Sequence, residues 1–451
     1  MSLEKFFNPH SVAVLGVSRN PEKIGSVIFK NIIDSGYKGK VFAVNPNEEF
    51  VMGYKAYSSV LAIKDKIDLA VISVPSELVI KVVEECGKKK IKNVIMVTAG
   101  FKEVGDIKLE ERLLKTIQKN KIKLIGPNCL GVINNYNGLD TLFIPIYRLK
   151  RPDKGNISFV TQSGAFGSTV LDLISAENYR LSKFISYGNG LNVDESDVLN
   201  YLSKDKETGI VVMYVEGVKD GKKFFKALMD IKKPVLILKG GKFEKSSKST
   251  LSHTGSLAGI NEVYEGIFKQ TNAVITESMQ DIFDFLKLFE KNIKIKGGRI
   301  QIITNGGGHG VISSDAVIEN GFKLAELSRT SKAILKKELP SIATVSNPLD
   351  VVGDADDSRY ELAIETCLKD RGNDVLLVNI LYQTPKLTKN LINIINKLNN
   401  KSSKPIVVVS TGANFTEELR RGLEDKDIPC FQFPGNAVRA MKAVHDYYKN
   451  D

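Results

Sequence analysis

Short apolar runs recur along the chain, each closed by Gly, Ser, Asn or Pro and followed by a stretch with helical spacing. Ser11–Gly16 is a buried-strand pattern, and an amphipathic helix follows it to about Ser35. Gly39–Val44, Asp68–Val74, Asn93–Thr98 and Lys123–Ile125 repeat the strand signal. After a linker at 151–155 come Asn156–Val160, a helix from Ser168 to about Glu177, Gly209–Val215 and Pro234–Leu238. A second linker, 293–299, precedes Arg299–Thr304, a helix over Val311–Asn320, and strands at Asp374–Ile380 and Pro405–Ser410. Strands alternating with helices predict an α/β chain with parallel sheets. Its 451 residues suit three domains in tandem, over 1–147, 148–292 and 296–451, at the usual ~150 residues each.

The residues that close the strands carry the candidate chemistry, because ligands sit at the carboxyl ends of an open parallel sheet. The first strand ends at Gly16, and the turn through Val17, Ser18, Arg19 and Lys23 to Gly25 opens a helix. Backbone N–H groups at such a helix start suit a phosphate. Ser18 stands where a full dinucleotide fingerprint has its second glycine. The second strand ends in Asn45-Pro46-Asn47, without the carboxylate that holds a free ribose hydroxyl. That favours an adenine nucleotide with a phosphorylated ribose, NADP or coenzyme A. Pro75, Thr98-Ala99-Gly100 and Asn128 close the next three strands.

Two further strand-to-helix turns are built from small residues, Gln162-Ser163-Gly164-Ala165 and Asn305-Gly306-Gly307-Gly308. Each is either a tight packed turn or an anion site at a helix start, where the helix dipole contributes ~0.3–1 kcal/mol to a bound anion. Glu216 closes the strand Gly209–Val215, as a site carboxylate or a helix cap. Asp194 to Asp197 caps another helix. From Lys239 to Gly259 the chain is polar and rich in Ser, Lys and Gly, with His253 and Gly255 near its far end. This is either a solvated loop with an incidental histidine or a mobile arm able to carry a group. Of the other histidines, His10 precedes the first strand, His445 lies in the last helix, and only His309 competes as a site residue.

Composition narrows the classes. Apolar residues make up 42% of the chain, enough for sizeable cores. No run approaches the ~20 apolar residues that span a bilayer, and the N-terminus lacks a signal-peptide pattern. The four cysteines are scattered, without metal-ligand spacing, and read as free thiols in a reducing cytoplasm. The net charge of +12 is spread among acidic residues without basic blocks or interleaved aromatics, which argues against nucleic acid.

In this order, Gly126-Pro-Asn-Cys-Leu-Gly131, Thr161-Gln-Ser-Gly-Ala165 and Ser252-His-Thr-Gly-Ser256 resemble the NDP-forming acyl-CoA synthetases. That superfamily includes succinyl-CoA synthetase and ADP-forming acetyl-CoA synthetase, and the arrangement resembles the alpha subunit of the latter. The resemblance implies a Rossmann-like coenzyme A domain followed by two flavodoxin-like domains. It places CoA against Gly16, Ser18, Arg19, Lys23, Pro46, Asn47, Pro75, Thr98, Ala99, Gly100 and Asn128. Phosphate is expected at Gln162, Ser163, Gly164, Ala165 and Gly255, and at Asn305, Gly306, Gly307 and Gly308. His253 would be phosphorylated and Glu216 would orient its ring.

The implied reaction converts acyl-CoA, ADP and phosphate to acid, ATP and CoA, reversibly. The chain has no Gly-rich phosphate loop of the Walker type, and no ATP-grasp length of chain is expected after Asp451. The resemblance therefore implies a beta subunit with an ATP-grasp fold, holding ADP or ATP and magnesium, in an α2β2 heterotetramer in the cytoplasm. No metal site, nucleic-acid partner or membrane partner is expected of this chain. The alternative is a CoA- or acyl-CoA-responsive binding module without turnover, against which Glu216 and His253 together argue.

Overall fold

The expected alternation of strands and helices runs through residues 3–242 and 261–449, which the computed structural model describes. The fold is α/β. Its residues group into two compact units, 1–279 and 280–451.

In the first unit, β1 (Ser11–Leu15), β2 (Lys40–Val44), β3 (Phe50–Val51), β4 (Tyr54–Tyr57), β5 (Leu69–Ile72), β6 (Asn93–Met96) and β7 (Lys123–Ile125) form one sheet in the order β3-β4-β2-β1-β5-β6-β7. It is parallel except for the β3–β4 hairpin at its edge. Every residue of β1 is buried, as expected of a central parallel strand covered on both faces. The chain leaves β1 for β2 on one side and returns to β5 on the other, with Val12 opposite both Val41 and Leu69. That reversal makes the carboxyl end of β1 a switch point, where a crevice opens.

The second sheet contains β8 (Gly131–Asn134), β9 (Leu139–Asp140), β10 (Lys154–Thr161), β11 (Leu181–Ser186), β12 (Ile210–Val215), β13 (Val235–Lys239) and β14 (Ala273–Thr276), ordered β14-β13-β12-β10-β11-β8-β9. β10 to β14 are parallel, while β8 and β9 add an antiparallel hairpin at the edge. Residues 131–140 thus belong to the second sheet, although the strand rhythm joins them to the first. Arg151 Nε lies 2.7 Å from Asp140 Oδ2 and pins the expected linker to β9.

One hydrophobic cluster unites the two sheets. Phe6, Phe7, Ile28 and Phe29 share it with Val160, Ile185, Val198 and Met213, all fully buried. Each such side chain contributes roughly 1.5–3 kcal/mol, so separating the sheets would expose a large apolar face. A second cluster, with Val79, Val83, Leu113 and Ile117, covers the other face of the first sheet.

The second unit holds β15 (Arg299–Thr304), β16 (Lys323–Leu324), β17 (Thr344–Val345), β18 (Leu349–Asp350), β19 (Val375–Asn379), β20 (Ile406–Val409) and β21 (Cys430–Phe431). The order is β17-β18-β15-β19-β20-β21, with β16 also on β15. Only β17 runs antiparallel to its neighbour. Ile303, Leu349, Leu376 and Val408 are buried in a core of their own. No described helix is long and apolar enough to cross a membrane.

Candidate functional site

The turn after β1 is shaped by two glycines. Gly16 has φ +99°, and a Cβ there would lie 2.8 Å from the Ser73 carbonyl oxygen. Gly25, in the first turn of the helix Ile24–Asp34, approaches so closely that a Cβ would lie 2.3 Å from the Gly16 carbonyl oxygen. Only glycine permits this packing of helix start on strand end. Ser18 and Ser26 lock the loop reciprocally: Ser18 N–H donates to Ser26 Oγ at 2.9 Å, and Ser26 Oγ donates to the Ser18 carbonyl at 2.7 Å. Asn45 Nδ2 donates to the Val17 carbonyl at 2.6 Å. The asparagine that replaces a ribose-binding carboxylate therefore braces the loop.

These residues line a cavity of about 990 Å3 at the switch point. Gly16, Ser18, Lys23, Pro46, Asn47, Pro75, Thr98, Ala99 and Asn128 all face it, and so do Gln162, Ser163, Gly164 and Ala165. One space thus brings the first sheet's strand ends together with the helix start of the second. Two of the residues expected to meet CoA lie outside its lining. Arg19 is exposed and pairs with Glu48 at 2.5 Å, and the Gly100 N–H donates to Glu103 Oε1 at 2.7 Å. Leu130, Phe143 and Ile144 add an apolar wall.

The helix expected from Ser168 begins at Gly164. The reason is a threonine bracket. Thr161 Oγ1 donates to the Ser163 carbonyl at 2.8 Å and accepts the Ser163 N–H at 3.2 Å, turning the chain directly into the helix. Ser163 Oγ then caps Phe166 N–H at 3.3 Å. In the second unit, Thr304 does the same to Gly306, at 2.9 and 3.0 Å, and that helix begins at Gly307 rather than Val311. Asn305 is buried there, with both ends of its amide on the main chain of Leu381. The N–H groups of Gly307 and Gly308, at exposed positions, are what this helix start offers an anion. His309 stands in the same turn, its Nδ1 3.4 Å from where a Gly306 Cβ would sit.

Glu216 is buried at the carboxyl end of β12. Gln162 Oε1 accepts its N–H at 2.8 Å and that of Gly217 at 3.1 Å. Tyr214, stacked on Phe166 at 4.0 Å, hydrogen-bonds the Glu216 carboxylate; burial first, and that carboxylate second, hold its hydroxyl well above the ordinary tyrosine range. His253 and Gly255, the expected phosphoryl carrier and a phosphate contact, lie outside the described residues.

Several further residues shape this site. Asn189 lines the cavity and donates to Glu103 Oε2 at 2.7 Å and Glu110 Oε2 at 3.1 Å. Lys219 Nζ holds the Asn189 and Gly190 carbonyls, each at 2.9 Å. Burial, then the neighbouring Asp194, pushes the Glu195 carboxyl up to about 7. Asp194 and Asp197 form the expected cap, as a reciprocal capping box. Cys129 faces the cavity, but burial pushes its thiol up to about 12, which leaves it inert as a nucleophile. His10 is exposed, and His445 Nδ1 contacts the Ile295 carbonyl at 3.1 Å. Among the described residues, no cluster of His, Cys, Asp or Glu is placed to hold a metal ion.

Three family models match in succession: a CoA binding domain over residues 10–135, a succinyl-CoA ligase-like flavodoxin domain over 154–289, and a ligase-CoA domain over 300–448. The alpha subunit of acetate–CoA ligase (ADP-forming) II from Pyrococcus furiosus is 35% identical, over 99% of this chain and 98% of its own length. Acetate–CoA ligase (ADP-forming) I from Archaeoglobus fulgidus is 37% identical over 99% of this chain, which spans 64% of that longer protein. Among solved structures, the dinucleotide-forming acetyl-coenzyme A synthetase 1 of Candidatus Korarchaeum cryptofilum, in complex with phosphate and ADP, superposes with a TM-score of 0.91 at 35% identity, covering 99% of this chain and 97% of that one.

Proposed function

This chain belongs to the family of the ADP-forming acetate–CoA ligases, and on that premise we propose that it is the alpha subunit of an enzyme converting acyl-CoA, ADP and phosphate to acid, CoA and ATP. The observation that carries this reading is the single cavity joining the Gly16–Gly25 loop to the helix start at Ser163, with Gln162 tying that helix start to Glu216.

In this reading, residues 1–147 take up CoA, 148–292 carry out phosphoryl transfer, and 296–451 supply the second helix start. The Gly16–Gly25 turn and Asn47 hold the nucleotide end of CoA, and the thioester points toward Ser163. Phosphate, held by N–H groups at the Gly164 helix start, attacks the thioester carbonyl; the C–S bond breaks, CoA leaves as its thiol, and an acyl phosphate forms. A nitrogen of His253 attacks the phosphorus, and the acid leaves as carboxylate. Glu216 orients the imidazole by accepting from its other nitrogen. Gly255 and, separately, the N–H groups of Gly307 and Gly308 are further candidates to bind phosphate. The arm then delivers the phosphoryl group to ADP, and exclusion of water protects the labile P–N bond.

ADP is placed on an ATP-grasp beta subunit with magnesium, in an α2β2 assembly in the cytoplasm. The test is acyl-hydroxamate formation from acetate, ATP and CoA by the reconstituted pair. Turnover that requires both chains supports the reading. A thermal shift with CoA but no hydroxamate from any acid would instead leave a CoA-responsive binding module, and a shift with NADP alone would remove CoA from the site.

A further inference from the structure

Lys239 is the last residue of β13, opposite Val215 in the parallel register with β12. It is only 4% exposed. Its Nζ donates to the Glu216 carbonyl at 2.8 Å and also bonds the Gly240 carbonyl. It lies 4.8 Å from the centre of the Tyr264 ring, an attractive placement for a cation. Tyr264 in turn accepts the Val218 N–H on its hydroxyl at 3.0 Å. Together with Gln162 Oε1 on the Glu216 and Gly217 N–H groups, these contacts grip the 216–218 turn from three sides.

The described partners of this ammonium are two carbonyls and a ring face, none of which carries a formal charge. A buried cation so placed projects positive potential into its surroundings, strongly where water is excluded. The charges that face it are Glu216 at the end of β12 and Lys242 beyond β13. Lys242 is itself paired with Glu277 at 2.5 Å.

We propose that Lys239 is a positioning residue for phosphoryl transfer: its ammonium fixes the Glu216 main chain and supplies a buried positive charge at the end of β13, the strand that precedes His253 in the sequence. The proposal rests on the phosphohistidine reading above. Geometry carries it, and titration gives it a handle. Burial, opposed by the Glu216 charge, brings the ammonium down to about 8, so it is charged at neutral pH and is lost as pH rises through that value.

The experiment uses the full chain with its ATP-grasp partner and labelled ATP, following phosphate on His253 in single turnover. Lys239→Met keeps the length of the side chain but removes charge and donors. Lys239→Arg keeps both, and a guanidinium stays charged throughout the range. The methionine variant is expected to slow labelling at least about ten-fold while holding CoA affinity within about two-fold, and arginine to recover most of the rate. The wild-type rate is expected to fall as pH rises through about 8, a fall the arginine variant lacks. Methionine labelling at the wild-type rate, or an arginine variant with the wild-type pH profile, overturns the proposal; if the methionine variant does not fold, the arginine profile decides alone. A wild-type chain that takes no phosphate on His253 overturns the parent reading instead, a distinct result.

Discussion

Gln162 accepts the N–H of Glu216 at 2.8 Å and that of Gly217 at 3.1 Å on one oxygen, so a residue lining the cavity also fixes the strand end that carries the carboxylate. Replacing it by leucine leaves both buried N–H groups without their acceptor. Unmade buried hydrogen bonds cost about 1–3 kcal/mol each. Gln162→Leu is therefore expected to lower the denaturation midpoint of the first unit and to slow acyl-CoA turnover together. An unchanged midpoint in urea denaturation would show that these two bonds contribute nothing to stability.

Gly25→Ala places a methyl group 2.3 Å from the Gly16 carbonyl oxygen, where only backbone movement relieves the clash. The loop at the cavity mouth is expected to open and CoA affinity to fall by about ten-fold or more, as read by calorimetry. Gly221→Ala is the control. It opens the helix Gly221–Asp230, and no atom lies within 4 Å of the added Cβ, so affinity and stability should hold. Equal effects from both substitutions would contradict the role given to Gly25.

Glu195 gives the first unit a pH dependence of calculable sign. Its folded carboxyl is raised to about 7 from a usual 4.5. The stability it contributes is complete below the unfolded value and is lost as pH rises through the folded one, because the native state must then bury a charge. Glu195→Gln removes that loss. It is expected to stabilise the unit by on the order of 1–3 kcal/mol at pH 8 relative to wild type, with the advantage vanishing near pH 4. Denaturation at both pH values measures it; a gain at pH 4 but none at pH 8 is the reverse of what burial requires.

All four cysteines are free and buried, and burial pushes each thiol up to about 12. Alkylation of the native protein at pH 8 should leave all of them unmodified, Cys129 on the cavity wall included, and alkylation after denaturation should modify all four. Rapid native labelling of Cys129, found by mass spectrometry, would show that the cavity wall opens readily.

The strands were legible because central parallel strands are apolar on both faces, and β1 is buried throughout. Two helices begin about one turn before the expected Ser168 and Val311. Gly164, Gly307 and Gly308 lower helix propensity by about 1 kcal/mol each relative to alanine, yet the Thr161 and Thr304 brackets start helices there. Cavity residues on the strand-closing turns were legible because Gly16, Pro46 and Thr98 fall where a switch-point ligand must lie. The polar ties were not. Asn189 meets Glu103 and Glu110 across 86 and 79 residues of sequence, a separation no local pattern records. Lys239 reads as the first residue of a polar arm, and only its register with Val215 shows it to be interior.

The phosphohistidine at residue 253 is the centre of the proposed chemistry. The direct measurement is to incubate the full chain and its ATP-grasp partner with labelled ATP, omitting acid and CoA, and to map the label by mass spectrometry. The expected result is an acid-labile, base-stable phosphate on His253. It should be absent from His253→Ala, formed at least about ten-fold more slowly in Glu216→Gln, and discharged when acid and CoA are added. A fully active enzyme with no label on His253, or a His253→Ala variant that turns over at the wild-type rate, would contradict it.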